Sequence, residues 1–261
     1  MVEGPLVSII TPTYGRQAFL PAIAACVQSQ SYQKIEWLIL DDSERPSVDF
    51  VNQAPNKVKY LHSPKRLSVG EKRNRLIDAA SGDVVVHFDD DDFYGENYIA
   101  NSVDFLLHHD LDVALLSGFF VAHLDVNCFG YYRTLIKQGP GYAFNKHGVR
   151  SVNLGKLNIP LIHLCYGWSY IYRKTVWDRI KYKEISVFED REFISAAQKE
   201  FRSQAHESKL IDCLHVIHHR SSSQCFPQFL IPDFVVRALS TAAYQHVTRL
   251  KRELAQAAMT A

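Results

Sequence analysis

Residues 84–92 read Val84-Val85-Val86-His87-Phe88-Asp89-Asp90-Asp91-Asp92, an apolar, β-branched run that feeds straight into four consecutive aspartates. The apolar half has the character of a strand buried on both faces of a sheet. Four adjacent carboxylates repel one another, so keeping them together without a counter-ion is costly. Hard oxygen donors suit Mg²⁺ or Mn²⁺. The carboxyl ends of strands are also where open α/β sheets bind ligands. A solvated acidic turn is the alternative reading; a buried strand aimed at the run argues for a metal–phosphate site.

Working outward, Leu6 to Thr11 is a short apolar run that stops at Pro12 and reads as a first strand. Phe19, Leu20, Ile23, Ala24 and Val27 then recur at helical spacing. Glu36 to Leu40 is a second strand, ending in Asp41-Asp42-Ser43, and Val58 to Leu61 a third. This strand–helix–strand rhythm predicts a mostly parallel sheet with helical crossovers. A helix starting near Ser68 or Val69 carries Lys72 and Arg73 in its opening turns, and Ala100, Val103, Leu106 and Leu107 mark another. Val113 to Val121 is a further buried strand.

From about 123 to 165 the chain loses this rhythm and predicts loops and antiparallel strands. Gly167 to Tyr172 reads as a strand and Lys174 to Ile180 as a short helix. Ser186 and Glu189 have capping-box spacing ahead of a helix through Phe201. Leu210 to His219 reads as a late strand, and the tail from Asp233 as a packed helix. No domain boundary stands out. The expectation is one domain over 1–261: a ligand-binding half to about 122, a less regular half over about 123–232, and a C-terminal helix over 233–261.

The chain has 261 residues, 47% hydrophobic and 22% charged, with a formal net charge of +1. That is an ordinary globular composition and disfavours a nucleic-acid binder. Its five cysteines, Cys26, Cys128, Cys165, Cys213 and Cys225, are odd in number and lack C-x-x-C spacing. With no N-terminal signal pattern, reduced thiols in a cytoplasmic protein are expected. No apolar run approaches the roughly 20 residues of a membrane helix; contact with a membrane surface stays open.

Two acidic groups end two strands, Asp41-Asp42 and the run at 89–92. In a parallel sheet both lie on one edge. A nucleotide would use so many acceptors: a base imide N–H or a ribose hydroxyl donates to one cluster, while a metal and diphosphate occupy the other. Asp41-Asp42 reads equally as a strand-to-turn signal. Lys72 and Arg73 read as a solvated helix face or as partners of a diphosphate. Neither G-x-x-x-x-G-K-[ST] nor G-x-G-x-x-G occurs.

Taken in order, Val7-Ser8-Ile9-Ile10-Thr11-Pro12-Thr13-Tyr14, Glu36 to Ser43, Lys72-Arg73-Asn74 with Ala80-Ser81-Gly82-Asp83, Phe88 to Asp92, and Phe188-Glu189-Asp190 resemble the motifs of a family 2 glycosyltransferase. The resemblance spans roughly residues 6 to 220. It implies the GT-A fold: α/β, Rossmann-like, a mixed but mostly parallel sheet flanked by helices, with a less regular acceptor-side half. It also implies a metal-dependent, inverting hexosyl transfer from a nucleotide-diphosphate sugar, a UDP-sugar first, to a hydroxyl acceptor. Pro12 and Tyr14 then flank the base, Asp42 accepts from it, and Arg73 lies near the nucleotide. Within the D-x-D motif Asp91 binds Mn²⁺ or Mg²⁺, with Asp89 or Asp90 near ribose; four aspartates in a row set that register only to within one residue. Asp190 is the general base, Glu189 is mainly structural, and His219, with His218 second, completes the metal shell or touches phosphate. Trp168 and Tyr170 read as an acceptor wall or as core aromatics.

Two rivals remain. A sugar-nucleotide nucleotidyltransferase would carry a Gly-rich loop after the first strand, where this chain has Thr11 to Arg16. A non-catalytic nucleotide-sugar or glycan-binding module would not need Asp190. A phosphatase reading lacks the D-x-D-x-[TV] pattern.

Overall fold

The computed structural model describes residues 4–47, 50–51, 58–157, 166–208 and 211–260, with backbone alone for 257–260. In chain order its main elements are β1 (Val7–Thr13), α1 (Leu20–Gln28), β2 (Ile35–Asp41), β3 (Val58–His62), α2 (Val69–Asp78), β4 (Val84–His87), β5 (Phe93–Tyr94), α3 (Tyr98–His108), β6 (Val113–His123), β7 (Cys128–Arg133), β8 (Pro140–Asn145) and β9 (Gly148–Asn153). They continue with β10 (Ile171–Arg173), α4 (Lys174–Arg179), α5 (Glu189–Glu200), β11 (Ser203–Glu207), β12 (Cys213–Ile217), β13 (Phe229–Ile231), α6 (Asp233–Leu239) and α7 (Thr241–Thr260). The described residues cluster into two compact units, the first within 1–90, 96–115 and 165–205 and the second within 91–95, 116–164 and 206–261.

In the first unit the strands run β3-β2-β1-β4-β10, followed by the start of β6. β3, β2, β1 and β4 are parallel, with Val7 opposite both Ile35 and Val84; β10 is antiparallel to β4. Ile9, Ile10, Leu38, Ile39, Val85 and Val86 are wholly buried, as strands covered on both faces require. Because β1, β2 and β4 are parallel, Thr13, Asp41 and His87 finish on one edge. α2 starts at Ser68, whose hydroxyl accepts from Glu71 N (3.1 Å). Its inner face buries Leu76 and Ile77 together with Lys72 and Arg73. Gly70 has no room for a side chain: a Cβ there would sit 1.8 Å from the Lys183 carbonyl oxygen.

In the second unit the later part of β6 pairs antiparallel with β7 and parallel with β12; β7 pairs with β13, and β12 with β5. β8 and β9 form a separate hairpin. Ala243, Val247, Leu250 and Leu254 make the buried stripe of α7.

Several local expectations change. Gly167–Ser169 is a 3-10 turn and only Ile171–Arg173 is strand. The buried strand after α3 runs on to His123, and the late strand spans Cys213–Ile217, with Leu210 outside the described residues. The tail is two helices, because Ser240 is extended and its hydroxyl accepts from Ala243 N (3.1 Å), capping α7. Cys26, Cys128, Cys213 and Cys225 are free thiols; Cys165 lies outside the described residues. Among the described residues no helix is long and apolar enough to cross a membrane.

Candidate active site

Asp41 and Asp42 end β2 in different roles. Asp41 is buried and closes the turn: Oδ1 accepts from Ser43 N (2.8 Å) and the Ser43 hydroxyl, and Oδ2 from Tyr60 Oη (2.7 Å) and Ser47 Oγ (3.0 Å). Asp42 faces cations. Lys72 Nζ donates to its Oδ1 (2.8 Å), while Leu67 N (2.8 Å) and Arg66 donate to Oδ2. Burial would raise the Asp42 pKa, but Lys72, Leu67 N and Arg66 together hold it below the usual carboxylate range. Lys72 also donates to the Thr13 carbonyl (2.9 Å). Burial is the larger influence on it and lowers its pKa despite Asp42.

Tyr14 follows β1 and is 41% exposed, with the Arg66 guanidinium 3.4 Å from its ring centroid. The stack and the Asp42 contact place Arg66 directly over the pair expected to meet a base. Pro12, beside Leu40 in the β1–β2 register, is half-buried on the same edge.

The aspartate run fans out. Asp90 accepts from Thr13 Oγ1 (2.6 Å) and Arg16 Nη1 (2.7 Å). Asp89 lies 3.8 Å from Arg73 Nη2. Arg73 is buried and donates from Nη1 to Glu189 Oε1 (2.8 Å). Burial opposes the charged guanidinium, yet Glu189 and Asp89 raise its pKa above the ordinary arginine value.

Glu189 opens α5, but not through a capping box. Phe188 is the N-cap, in the left-handed region at φ 67°, and no side chain caps the helix. A bulky residue rarely adopts this conformation, and its cost is of order 1–3 kcal/mol. The bend delivers Glu189 to Arg73 and sets Asp190 against Gly167: Gly167 N donates to Asp190 Oδ2 (3.2 Å), and Arg191 N to Oδ1 (2.7 Å). Beneath lies His87, with Nδ1 2.7 Å from the Gly167 carbonyl and Nε2 3.0 Å from Tyr172 Oη. Trp168 and Tyr170 are buried core aromatics rather than an exposed wall.

In the second unit, Asp92 is buried against β12. Val216 N (2.7 Å) and His215 Nδ1 (2.9 Å) reach its Oδ1. Burial works against a charged imidazole, but the Asp92 carboxylate raises the His215 pKa well above its ordinary value. Asp91 Oδ2 lies 3.1 Å from His218 Nε2. Arg220 N donates to His218 Nδ1 (3.1 Å), so Nε2 carries the proton and donates to Asp91. His219 instead contacts Asp125, with Nδ1 3.0 Å from Oδ1, and is half-exposed. Of the two histidines, His218 is the one beside Asp91, and His219 lies against Asp125.

Among the described residues no three His, Cys, Asp or Glu side chains converge as a metal cage. Mg²⁺ held with a phosphate ligand needs only one or two protein carboxylates, with phosphate oxygens and water completing its shell. Asp91 would be the protein ligand, oriented by His218 Nε2–H. Arg66, Arg16, Thr13 and Gly167 were not singled out as ligand or support residues, because their partners lie far away in sequence.

Comparison with known proteins bears on the fold and the family. An uncharacterized glycosyltransferase of Haemophilus influenzae is 33% identical over 112 residues, which are 41% of this chain and 44% of that protein. The chain spans less than half the length of the curated relatives it matches first. S. aureus TarS 1-349, solved in complex with UDP-GlcNAc, superposes with a TM-score of 0.60 at 19% identity, covering 89% of this chain and 64% of that one. The mannosyltransferase PcManGT from Pyrobaculum calidifontis, solved with GDP-Man and Mn²⁺, gives a TM-score of 0.59 at 13% identity, covering 100% of this chain and 77% of that one. These likenesses establish the GT-A-type α/β fold. The model of the family described as Glycosyl transferase family 2 matches residues 8–178, and the chain belongs to that family.

Proposed function

We propose that this chain transfers a sugar, with inversion, from a nucleotide-diphosphate donor, most simply a UDP-sugar, to a hydroxyl acceptor. One observation carries the reading. The edge formed by β1, β2 and β4 puts Tyr14, Asp42, Lys72 and Asp90 together, and Arg73 with Glu189 braces the segment that carries Asp190. Tyr14 offers a ring face to a base, and Asp42 and Asp90 offer acceptors to base and ribose. Lys72, Arg66 and Arg16 supply positive charge for the diphosphate once their present partners yield. The solved neighbours, bound to UDP-GlcNAc in one case and to GDP-Man with Mn²⁺ in the other, support a nucleotide sugar and a divalent ion as ligands.

Asp190 is the base. Each of its oxygens accepts one backbone N–H, which orients the carboxylate and leaves lone pairs for an acceptor hydroxyl. As that oxygen attacks C1 opposite the diphosphate, Asp190 takes its proton and the C1–O bond to the leaving group breaks. A divalent ion at Asp91, when bound, would stabilise negative charge on the leaving diphosphate. Burial raises the Glu189 pKa and the Arg73 guanidinium opposes that rise; their 2.8 Å contact fixes the first turn of α5, making Arg73 a positioning residue.

Asp190→Asn tests this reading. UDP affinity by calorimetry should persist while transfer from UDP-sugars falls to background; retained turnover would remove Asp190 from the mechanism. UDP binding by the wild type with no turnover across a broad donor–acceptor panel would favour a binding module.

A further inference from the structure

The second unit carries a concentrated apolar surface that the sugar-transfer reading does not use. Phe229 (55% exposed), Leu230 (42%), Phe234 (68%) and Leu239 (45%) fall within eleven consecutive residues, on β13 and α6. β13 pairs on one side with β7, and α6 packs against β7 and α7. Isolated exposed apolar residues are ordinary, but four large ones in one short segment mark an interaction surface.

Charge identifies the partner. Residues 220–261 hold five Lys or Arg against two Asp or Glu, a net +3; the chain as a whole is +1, so residues 1–219 carry −2. Arg237 lies three residues from Phe234 on α6, one turn along. On α7, Gln245, Arg249, Arg252 and Gln256 are exposed at the spacing of one face, opposite the buried stripe. Arg237, Arg249 and Arg252 form no ion pair among the described residues, whereas Arg16, Arg66 and Arg73 are all paired with carboxylates. Exposed phenylalanines beside unpaired arginines are the composition of an interfacial segment, apolar groups entering the acyl boundary and cations meeting anionic headgroups.

We propose that β13, α6 and the exposed face of α7 dock on an anionic lipid bilayer. This surface stands independently of the nucleotide site. A second copy of the chain is the competing occupant, but its own arginines would face one another across a two-fold contact.

Co-sedimentation of the full chain tests the proposal, with phosphatidylcholine vesicles and with vesicles containing added phosphatidylglycerol. The chain should bind the second and not the first. Binding should weaken as ionic strength rises from about 0.1 M to about 1 M, which shortens the screening length from ~10 to ~3 Å. Arg249→Ser with Arg252→Ser should lower partitioning about 25-fold, near fivefold per arginine. Phe234→Ser should lower it by about tenfold or more. All three side chains are exposed, and circular dichroism checks the fold. Equal binding to both vesicles, or binding to neither, would overturn the proposal. So would concentration-dependent self-association that Phe234→Ser abolishes, which would assign the face to a second copy.

Discussion

Replacing Gly167 with alanine adds one methyl group where the support of Asp190 has no space. A Cβ at Gly167 would lie 2.8 Å from Asp190 Cβ, 2.8 Å from Arg73 Nη1 and 3.0 Å from Arg73 Nη2. Non-bonded carbons settle at about 3.5–4.0 Å, so Asp190 must retreat by ~0.7 Å or more unless Arg73 yields. Arg73 is poorly placed to yield, being buried and held at 2.8 Å by Glu189. Gly167 does not adopt a positive φ, so alanine costs nothing in backbone conformation and the effect is steric. Overpacking of this kind costs about 1–3 kcal/mol of stability. Misplacing a reacting group by about 1 Å costs on the order of a hundredfold in rate. Thermal melts, UDP calorimetry and steady-state transfer on one preparation separate the terms. The expected result is a folded enzyme with a modestly lower Tm, unchanged UDP affinity and kcat reduced about a hundredfold. A folded Gly167→Ala enzyme with wild-type kcat would refute the placement of Asp190.

Arg73→Ala should lower the unfolding free energy by about 3–5 kcal/mol, because it strands Glu189 as a buried charge; an unchanged denaturation midpoint would mean the pair is dispensable. His87 gives a pH signature. Burial, and then the Arg73 charge, depress its pKa well below 6.5. The unfolded chain therefore binds more protons below that pH, so stability is complete above pH 6.5 and falls as pH drops towards the folded-state pKa. The slope is up to about 1.4 kcal/mol per pH unit. His87→Asn should flatten this part of the stability–pH curve, and parallel curves would contradict the assignment.

What could be read in the chain beforehand was whatever is local or periodic. The β4 run and its aspartates, the β2 run ending at Asp41-Asp42, and the Ser68 start of α2 all carry short-range signals, and each is where the pattern put it. Long-range pairing leaves no such trace. Arg73 and Glu189 are 116 positions apart, so Glu189 read as a capping residue of Ser186 when its partner is an arginine in another helix. Lys72 and Arg73 looked equally like a solvated face, because burial of a charge depends on distant carboxylates. The histidine pair shows the same limit. His218 and His219 are neighbours at a strand end, yet one meets Asp91 and the other Asp125. No spacing distinguishes them. The break at Ser240 was missed because apolar periodicity runs through it.

The nucleotide–metal assignment is tested most directly by calorimetric titration of the chain with UDP, in Mn²⁺ and in chelator, for the wild type and for Asp91→Asn. Mn²⁺ should strengthen UDP binding by the wild type and give no enhancement in Asp91→Asn; His218→Ala should weaken that enhancement about 10–100-fold, as loss of an orienting partner does. Absence of binding to UDP, GDP, CDP and dTDP alike by a folded sample, or UDP binding indifferent to both Mn²⁺ and Asp91, would contradict the assignment.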